Sequence, residues 1–211
     1  MKRFPFSRLK LKEGWISSSL IYNPHCNLPP TVIHEISIEI DPLELGADAA
    51  MPEYQQVVNS SIVFDGLIFE RRSWNALGGS YTFGDDQNGS FYVSSAHNPV
   101  TVRQLTLQHR GGATYDADSV ATFHFEYEDS GYADETTRLL FSAKYGGFRF
   151  CVPQWSTPDK IAFPSEWNIP SASRDWPESA IRDFAARYCD LSQFAKITIE
   201  NGILSARPTA A

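Results

Sequence analysis

No run of apolar residues in this chain approaches the roughly 18 that a membrane-spanning helix requires, so no such span is expected. Export is not expected either. The basic opening MKRFPFSRLKLKEGW is interrupted by Lys10, Lys12 and Glu13, where a signal peptide would carry its apolar run. The resulting expectation is a soluble, cytoplasmic protein. Cysteine is scarce: Cys26, Cys151 and Cys189 are odd in number, far apart and form no CxxC pair. That argues against a zinc ribbon and against a redox dithiol. Each is expected to be a buried, reduced, structural residue, as free cysteines commonly are.

Motifs of catalysis are also missing. The chain has no GxSxG elbow, no HExxH, no GxxxxGK[ST] loop and no GxGxxG turn. The glycine pair in HRGGATYD lacks the following helix that a phosphate cradle needs. GDDQNGS departs from a calcium loop, because Gly84 would stand at the first ligand position and Ser95 at the twelfth. The sequence therefore assigns no catalytic residue, no metal ligand and no cofactor.

What the chain does contain is alternation. In TVIHEISIEI, Val32, His34, Ile36, Ile38 and Ile40 share one face while Glu35, Ser37 and Glu39 share the other, the signature of a half-buried strand. Ala121, Phe123, Phe125 and Tyr127 alternate with Thr122, His124, Glu126 and Glu128. RLLFSAKY sets Leu139, Phe141, Ala143 and Tyr145 on one side, so these two runs should pair antiparallel across an acidic turn. Asn201-Gly202 in KITIENGILSA suits a type I′ hairpin, and Asp65-Gly66 in SIVFDGLIFE reads the same way. SYTFGDDQNGSFYV should join Tyr81 and Phe83 to Phe91 and Val93. A phase slip between Val102 and Leu105 predicts a bulge near Arg103 and Gln104. Gly146 and Gly147 should separate one strand from the next, FRFCV.

One helix is evident in DWPESAIRDFAARYC, where Ile181, Phe184, Ala185 and Tyr188 form an apolar stripe, with Pro177 and Glu178 suited to the first turn. It should span 176–189, with a further helical turn in DLSQFAK and a terminal hairpin over 196–207 before a frayed RPTAA. Asp48 to Val58 could hold a second, shorter helix. The Pro- and Trp-rich stretch from Pro153 to Asp175 reads as an arm packed by its own aromatics. The expected architecture is one mainly β (α+β) domain over 1–211: an antiparallel sheet, sandwich or distorted barrel carrying one C-terminal amphipathic helix.

Among the histidines, His34 falls on an apolar face and should be an interior residue. His124 shares a face with Glu126, the spacing of an acid–base or metal pair or of a solvated strand. Carboxylate pairs, Asp85 with Asp86, Asp116 with Asp118 and Asp134 with Glu135, suit turns and solubility as well as hydrolysis, which needs two acids facing across a cleft.

The sharpest local anomaly is again an absence. From Gly111 to Thr137 there is neither lysine nor arginine, while Asp116, Asp118, Glu126, Glu128, Asp129, Asp134 and Glu135 contribute seven negative charges. The other eighteen acids are matched by eighteen Lys and Arg, so this segment carries the whole net charge of −7. Tyr115, Tyr127 and Tyr132 are interleaved with the acids, and tyrosine is favoured at interfaces. The segment, with Tyr115, Tyr132 and those seven acids, is expected to bind a basic partner protein. Nucleic acid is disfavoured, since phosphates require basic patches. Small, acidic, signal-free and without catalytic motifs, the chain is similar in character to bacterial immunity proteins that mask a toxin, although no motif carries that likeness. A small-molecule or carbohydrate site on Trp74, Trp155 or Trp167, a carboxylate hydrolase and a structural subunit are the rival expectations. Oligomeric state is left open.

Overall fold

Residues 1–47, 53–69, 73–127, 131–153, 162–171 and 175–209 are described in the computed structural model. The chain is mostly antiparallel β, with one short helix near its C-terminus. Its strands are β1 (Leu11–Asn23), β2 (Leu28–Ile40), β3 (Leu43–Ala47), β4 (Gln55–Val58), β5 (Ile62–Leu67), β6 (Gly79–Thr82), β7 (Gly89–Val93), β8 (Ala96–Gly111), β9 (Thr114–Phe123) and β10 (Glu135–Cys151), followed by α1 (Glu178–Ala186), β11 (Lys196–Glu200) and β12 (Ile203–Arg207).

The large sheet runs β1-β2-β5-β7-β8-β9-β10-β12-β11, and β6 also lies on β8. It closes on itself, because β1 pairs with β10 as well as with β2. That closing contact is parallel, with Gly14 opposite Ala143 and Leu20 opposite Phe150. The ring is thus the distorted barrel among the expected architectures, with β11 and β12 extending it from β10. β3 and β4 form a separate two-stranded sheet.

Strand alternation fills the interior. Ile16, Leu20 and Tyr22 of β1, Ile36 and Ile38 of β2, Phe64 of β5, Phe91 of β7 and Phe123 of β9 are all buried in one continuous hydrophobic cluster. One end of the ring is sealed by the N-terminal segment: Phe4 stacks on Phe125 at 4.9 Å and meets Phe91 edge-on at 5.4 Å, while Phe6 lies 4.8 Å from Phe123. The other end is covered by α1 and its approach. Phe184 sits 5.3 Å from both Phe150 and Trp176, and Trp74 stacks on Tyr145 at 5.7 Å.

Several local expectations are met. Asn201 and Gly202 both have positive φ (52° and 76°), as a type I′ turn demands. The β8 register shifts between Val102 and Gln104, which places the bulge at Arg103. Leu191–Gln193 forms the extra helical turn, a 3-10 one.

Others are corrected. Asp65-Gly66 is a bulge inside β5, not a hairpin turn: His34 pairs with Leu67 and Ile36 with Phe64, so two residues oppose one. The segments around Tyr81 and Phe91 do not pair with each other; β7 takes the first half of β8 and β6 the second. The strand containing Ala121 and Phe123 ends at Phe123, and Phe125 to Tyr127 lie in the turn beyond it. Of the proposed Asp48–Val58 helix, 48–52 lie outside the described residues, and Gln55–Val58 is a strand whose Gln56 and Val58 point inward. The helix is shorter than 176–189, because Pro177 adopts an extended conformation as its cap and the stripe residue Tyr188 falls in the following turn. Cys189 is buried, but Cys26 and Cys151 are exposed, one in the 3-10 turn after β1 and one on the outside of β10. Two of the rival aromatic anchors, Trp74 and Trp167, are engaged in packing, and Trp155 lies outside the described residues.

Gly146 and Gly147 do not end a strand. Ile16 pairs with Tyr145 and Ser17 with Gly147, so Gly146 is the extra residue of a bulge that reverses the inward parity of β10. Leu139, Phe141, Ala143 and Tyr145 point inward before it, and Phe148 and Phe150 after it. Gly147 has φ of 143°, and a Cβ there would lie 2.5 Å from the Ala206 carbonyl oxygen. Gly147→Ala should therefore cost about 2–3 kcal/mol in denaturant unfolding, combining backbone strain with loss of the β10–β12 contact. Gly146→Ala should cost under about 1 kcal/mol, since its Cβ would meet nothing nearer than 3.6 Å.

Candidate functional site

The described residues of the cation-free segment run from the end of β8 through β9 and the residues after it to the start of β10. Inward positions of β9 are odd-numbered and outward ones even. Tyr115 consequently points into the core, fully buried, and its hydroxyl donates to the Trp74 carbonyl. Burial pushes its pKa up to about 12, so it stays a neutral donor. Tyr132 is 2% exposed, reaches Gln56 Oε1 at 3.4 Å and lies under the Lys2 ammonium, 4.6 Å from the ring centre. Neither tyrosine offers a surface to a partner; both serve the core. Tyr127, 67% exposed, is the interleaved aromatic that faces solvent.

The carboxylates divide into two groups. Asp116 and Asp118 point outward and are each met by an arginine from a neighbouring strand. Arg110 Nε donates to Asp116 Oδ2 at 2.6 Å. Arg138 makes a two-pronged contact with Asp118, Nε at 2.8 Å and Nη2 at 2.5 Å, and its hydrogen bonds hold that carboxyl below the usual range. The two arginines stand immediately outside the cation-free segment in sequence, and antiparallel pairing folds them back over it. The charge excess read along the chain is thus partly cancelled in space.

The second group lies at the sealed end, where β9 turns into β10. Asp134 Oδ1 accepts the Glu126 amide at 2.9 Å and Oδ2 faces His124 Nδ1 at 3.1 Å. Glu126 is exposed, and Glu135 is half-buried, its Oε2 lacking a hydrogen-bond partner among the described residues. Among the described residues no lysine or arginine pairs with Glu126, Asp134 or Glu135. Glu128 and Asp129 lie outside the described residues. The rim rests on a rigid base, since Lys2 and the 131–133 segment exchange main-chain hydrogen bonds and Phe125 and Tyr132 pack against Phe4.

His124 does not act with Glu126. With the strand ended at Phe123, it turns instead to Asp134, and its Nε2 lies 2.9 Å from Thr101 Oγ1. A hydroxyl, an imidazole and a carboxylate in sequence match the order of a nucleophile, base and orienting acid. Thr101, however, is 1% exposed, which denies a substrate any line of attack. The trio ties β8, the end of β9 and the rim together. Nothing in the sequence links Thr101 to His124; only the register of β8 on β9 brings them together.

A second polar chain crosses the interior. Tyr145 donates to Ser18 Oγ at 2.9 Å, and Ser18 lies 2.8 Å from His34 Nδ1. The His34 ring stacks on Phe69 at 4.4 Å, its Nε2 has no hydrogen-bond partner among the described residues, and burial lowers its pKa to about 4. Ser73, Cys189 and these three polar residues border a void of about 10 Å³, the room of a single water and too small for a substrate. Cys189 is a poor nucleophile, its thiol pushed up to about 12 by burial and then by Asp190. Two open surface depressions of about 360 and 260 Å³, beside Tyr22, Arg149 and Cys151 and beside Leu9, Leu11 and Leu140, gather no opposed acids.

Asp85 pairs with Arg103, and among the described residues no three His, Cys, Asp or Glu side chains converge as metal ligands would. No helix of the described chain is long and apolar enough to cross a membrane. Compared with known proteins, the chain matches no family model, no curated protein and no solved structure.

Proposed function

We infer that this chain is a non-enzymatic, cytoplasmic protein-binding module, of the immunity-inhibitor kind, that masks a cation-rich partner protein such as a toxin. The observation that carries the reading is the contrast within one segment: Asp116 and Asp118 are neutralised by arginines, whereas Glu126, Asp134 and Glu135 at the sealed end are left without one. Uncompensated like charges repel and lower stability, so a surface that retains them has reason to meet positive charge. Exposed Tyr127 adds a rigid aromatic contact beside the acids. Glu128 and Asp129 follow Tyr127 directly in the sequence. This contrast favours the rim as the partner-binding surface, with Asp116 and Asp118 as a screened flank and Tyr115 and Tyr132 holding its base.

The test is a comparison of two charge variants on the immobilised chain. A rim variant, E126K/E128K/D129K, should lose a bound basic protein, and its association rate with that purified partner should fall about 10- to 100-fold at low salt. A flank variant, D116N/D118N, should change the rate less than about threefold, because those charges already face arginines. Partner binding that survives the rim reversal at full rate overturns the assignment.

A further inference from the structure

β11 is the last strand of the large sheet. Among the described residues it pairs with β12 on one side, and no strand or hydrogen bond reaches its other edge. Natural edges are usually blunted by short length, charged side chains, proline, a bulge or a covering element, and of these β11 has its 5-residue length and the charges of Lys196 and Glu200. β11 has no proline, and its register with β12 runs without interruption from Lys196 opposite Arg207 to Glu200 opposite Ile203.

Strand alternation fixes which groups the free edge presents. The two-residue turn closes on a Glu200–Ile203 hydrogen-bonded pair, so Glu200, Thr198 and Lys196 spend their main-chain groups on β12. Ile197 and Ile199 therefore turn their N–H and C=O outward. Their side chains are partly buried against the core, whereas Lys196 and Glu200 are exposed.

The charges on this strand are unanswered among the described residues. Lys196 stands opposite Arg207, a like charge, and neither Lys196 nor Glu200 makes an ion pair among the described residues. Read against itself in the antiparallel direction, Lys-Ile-Thr-Ile-Glu is self-complementary. A two-fold axis at Thr198 sets Lys196 opposite Glu200 of a second copy, Ile197 opposite Ile199, and Thr198 opposite Thr198. That register also matches the hydrogen-bonding phase, because the outward amides of Ile197 and Ile199 then face one another, forming about four main-chain bonds. A shift by one residue loses both the charge match and the amide match.

We propose that β11 is a homodimerisation edge, joining two copies of this chain through an antiparallel β11–β11 pair centred on Thr198, with two Lys196–Glu200 contacts across it. The proposal is independent of the acidic rim. Such an isologous contact needs the same patch on both partners, and this strand supplies both halves of every pairing. Its short length makes the dimer weak, with Kd of roughly tens of micromolar.

Sedimentation velocity of the full chain from about 1 µM to 1 mM tests it. The wild type should pass from monomer to dimer, and the dimer should weaken as salt rises. Lys196→Glu alone and Glu200→Lys alone each set like charges opposite one another and should weaken association about tenfold or more. The exchange variant K196E/E200K restores opposite charges and should recover the wild-type Kd within about threefold. A wild type monomeric across the whole range overturns the proposal without recourse to any variant. So does a dimer indifferent to the single reversals, or one that the exchange does not restore.

Discussion

Phe184→Ala is expected to lower the stability by about 3–5 kcal/mol and Tm by roughly 10 °C. Phe184 is fully buried and is the hub of the aromatic cap over one end of the barrel. Its ring lies 5.3 Å from Phe150 and Trp176, 5.9 Å from Tyr22 and 5.4 Å from Tyr188. Truncation removes the largest apolar group that α1 contributes and leaves a cavity between rings that cannot close without shifting β10. The helix spans only Glu178–Ala186, too short to hold itself in water, so most of its stability comes from this contact. Thermal and denaturant unfolding followed by far-ultraviolet circular dichroism measures the loss. Phe184→Leu, which keeps most of the volume, should cost less than half as much. If both substitutions cost under about 1 kcal/mol, the helix is not docked on Phe150 as described.

Acidification should destabilise the protein through His34. Burial, with Phe69 stacked on one face, holds its folded pKa at about 4, below the ordinary value of 6.5. As pH falls through about 6.5 the unfolded chain takes up a proton that the folded chain refuses. Stability therefore declines between about pH 6.5 and 4, and this residue removes nothing further once the folded form also protonates. The full effect is about 3 kcal/mol. Among the described residues the groups around the ring offer no counter-charge: Tyr145 is held neutral by burial, and the Cys189 thiol is pushed up to about 12. Ser18 bridges Tyr145 and His34 as a neutral hydroxyl. His34→Leu should flatten that part of the pH–stability profile, while Ser18 keeps its bond from Tyr145. An unchanged slope between pH 6.5 and 4 in that variant would assign the effect elsewhere.

The periodic parts of the fold were readable from side-chain parity. His34, Ile36, Ile38 and Ile40 point inward as their alternation implies, and Asn201-Gly202 forms the turn its φ preferences demand. Parity fails where a glycine shifts it without ending the strand. Gly66 and the Gly146-Gly147 pair each resemble a turn locally, yet each sits within a strand whose flanking neighbours hold it extended. Pairing between segments far apart in sequence leaves no local signal, so the stretch from Tyr81 to Val93 reads as a hairpin although β6 and β7 both lie on β8. The acidic site was legible as composition and not as geometry. Counting along the chain could not show Arg110 and Arg138 crossing onto Asp116 and Asp118, nor Tyr115 and Tyr132 turning inward. Their odd and even positions on β9 contained that information for Tyr115, whose parity is that of Ala121 and Phe123. Tyr132 follows the end of the strand, where parity no longer applies.

The parallel contact between β1 and β10 joins residues near the start of the chain to residues beyond its middle. A growing polypeptide cannot complete its ring until β10 has left the ribosome, and until then the outer edge of β1 is without its final neighbour. Loop closure over such a separation is slow relative to hairpin formation, which places this protein among the late, non-local folders. The window between synthesis and closure is when its exposed strands are most vulnerable to aggregation and to chaperone capture.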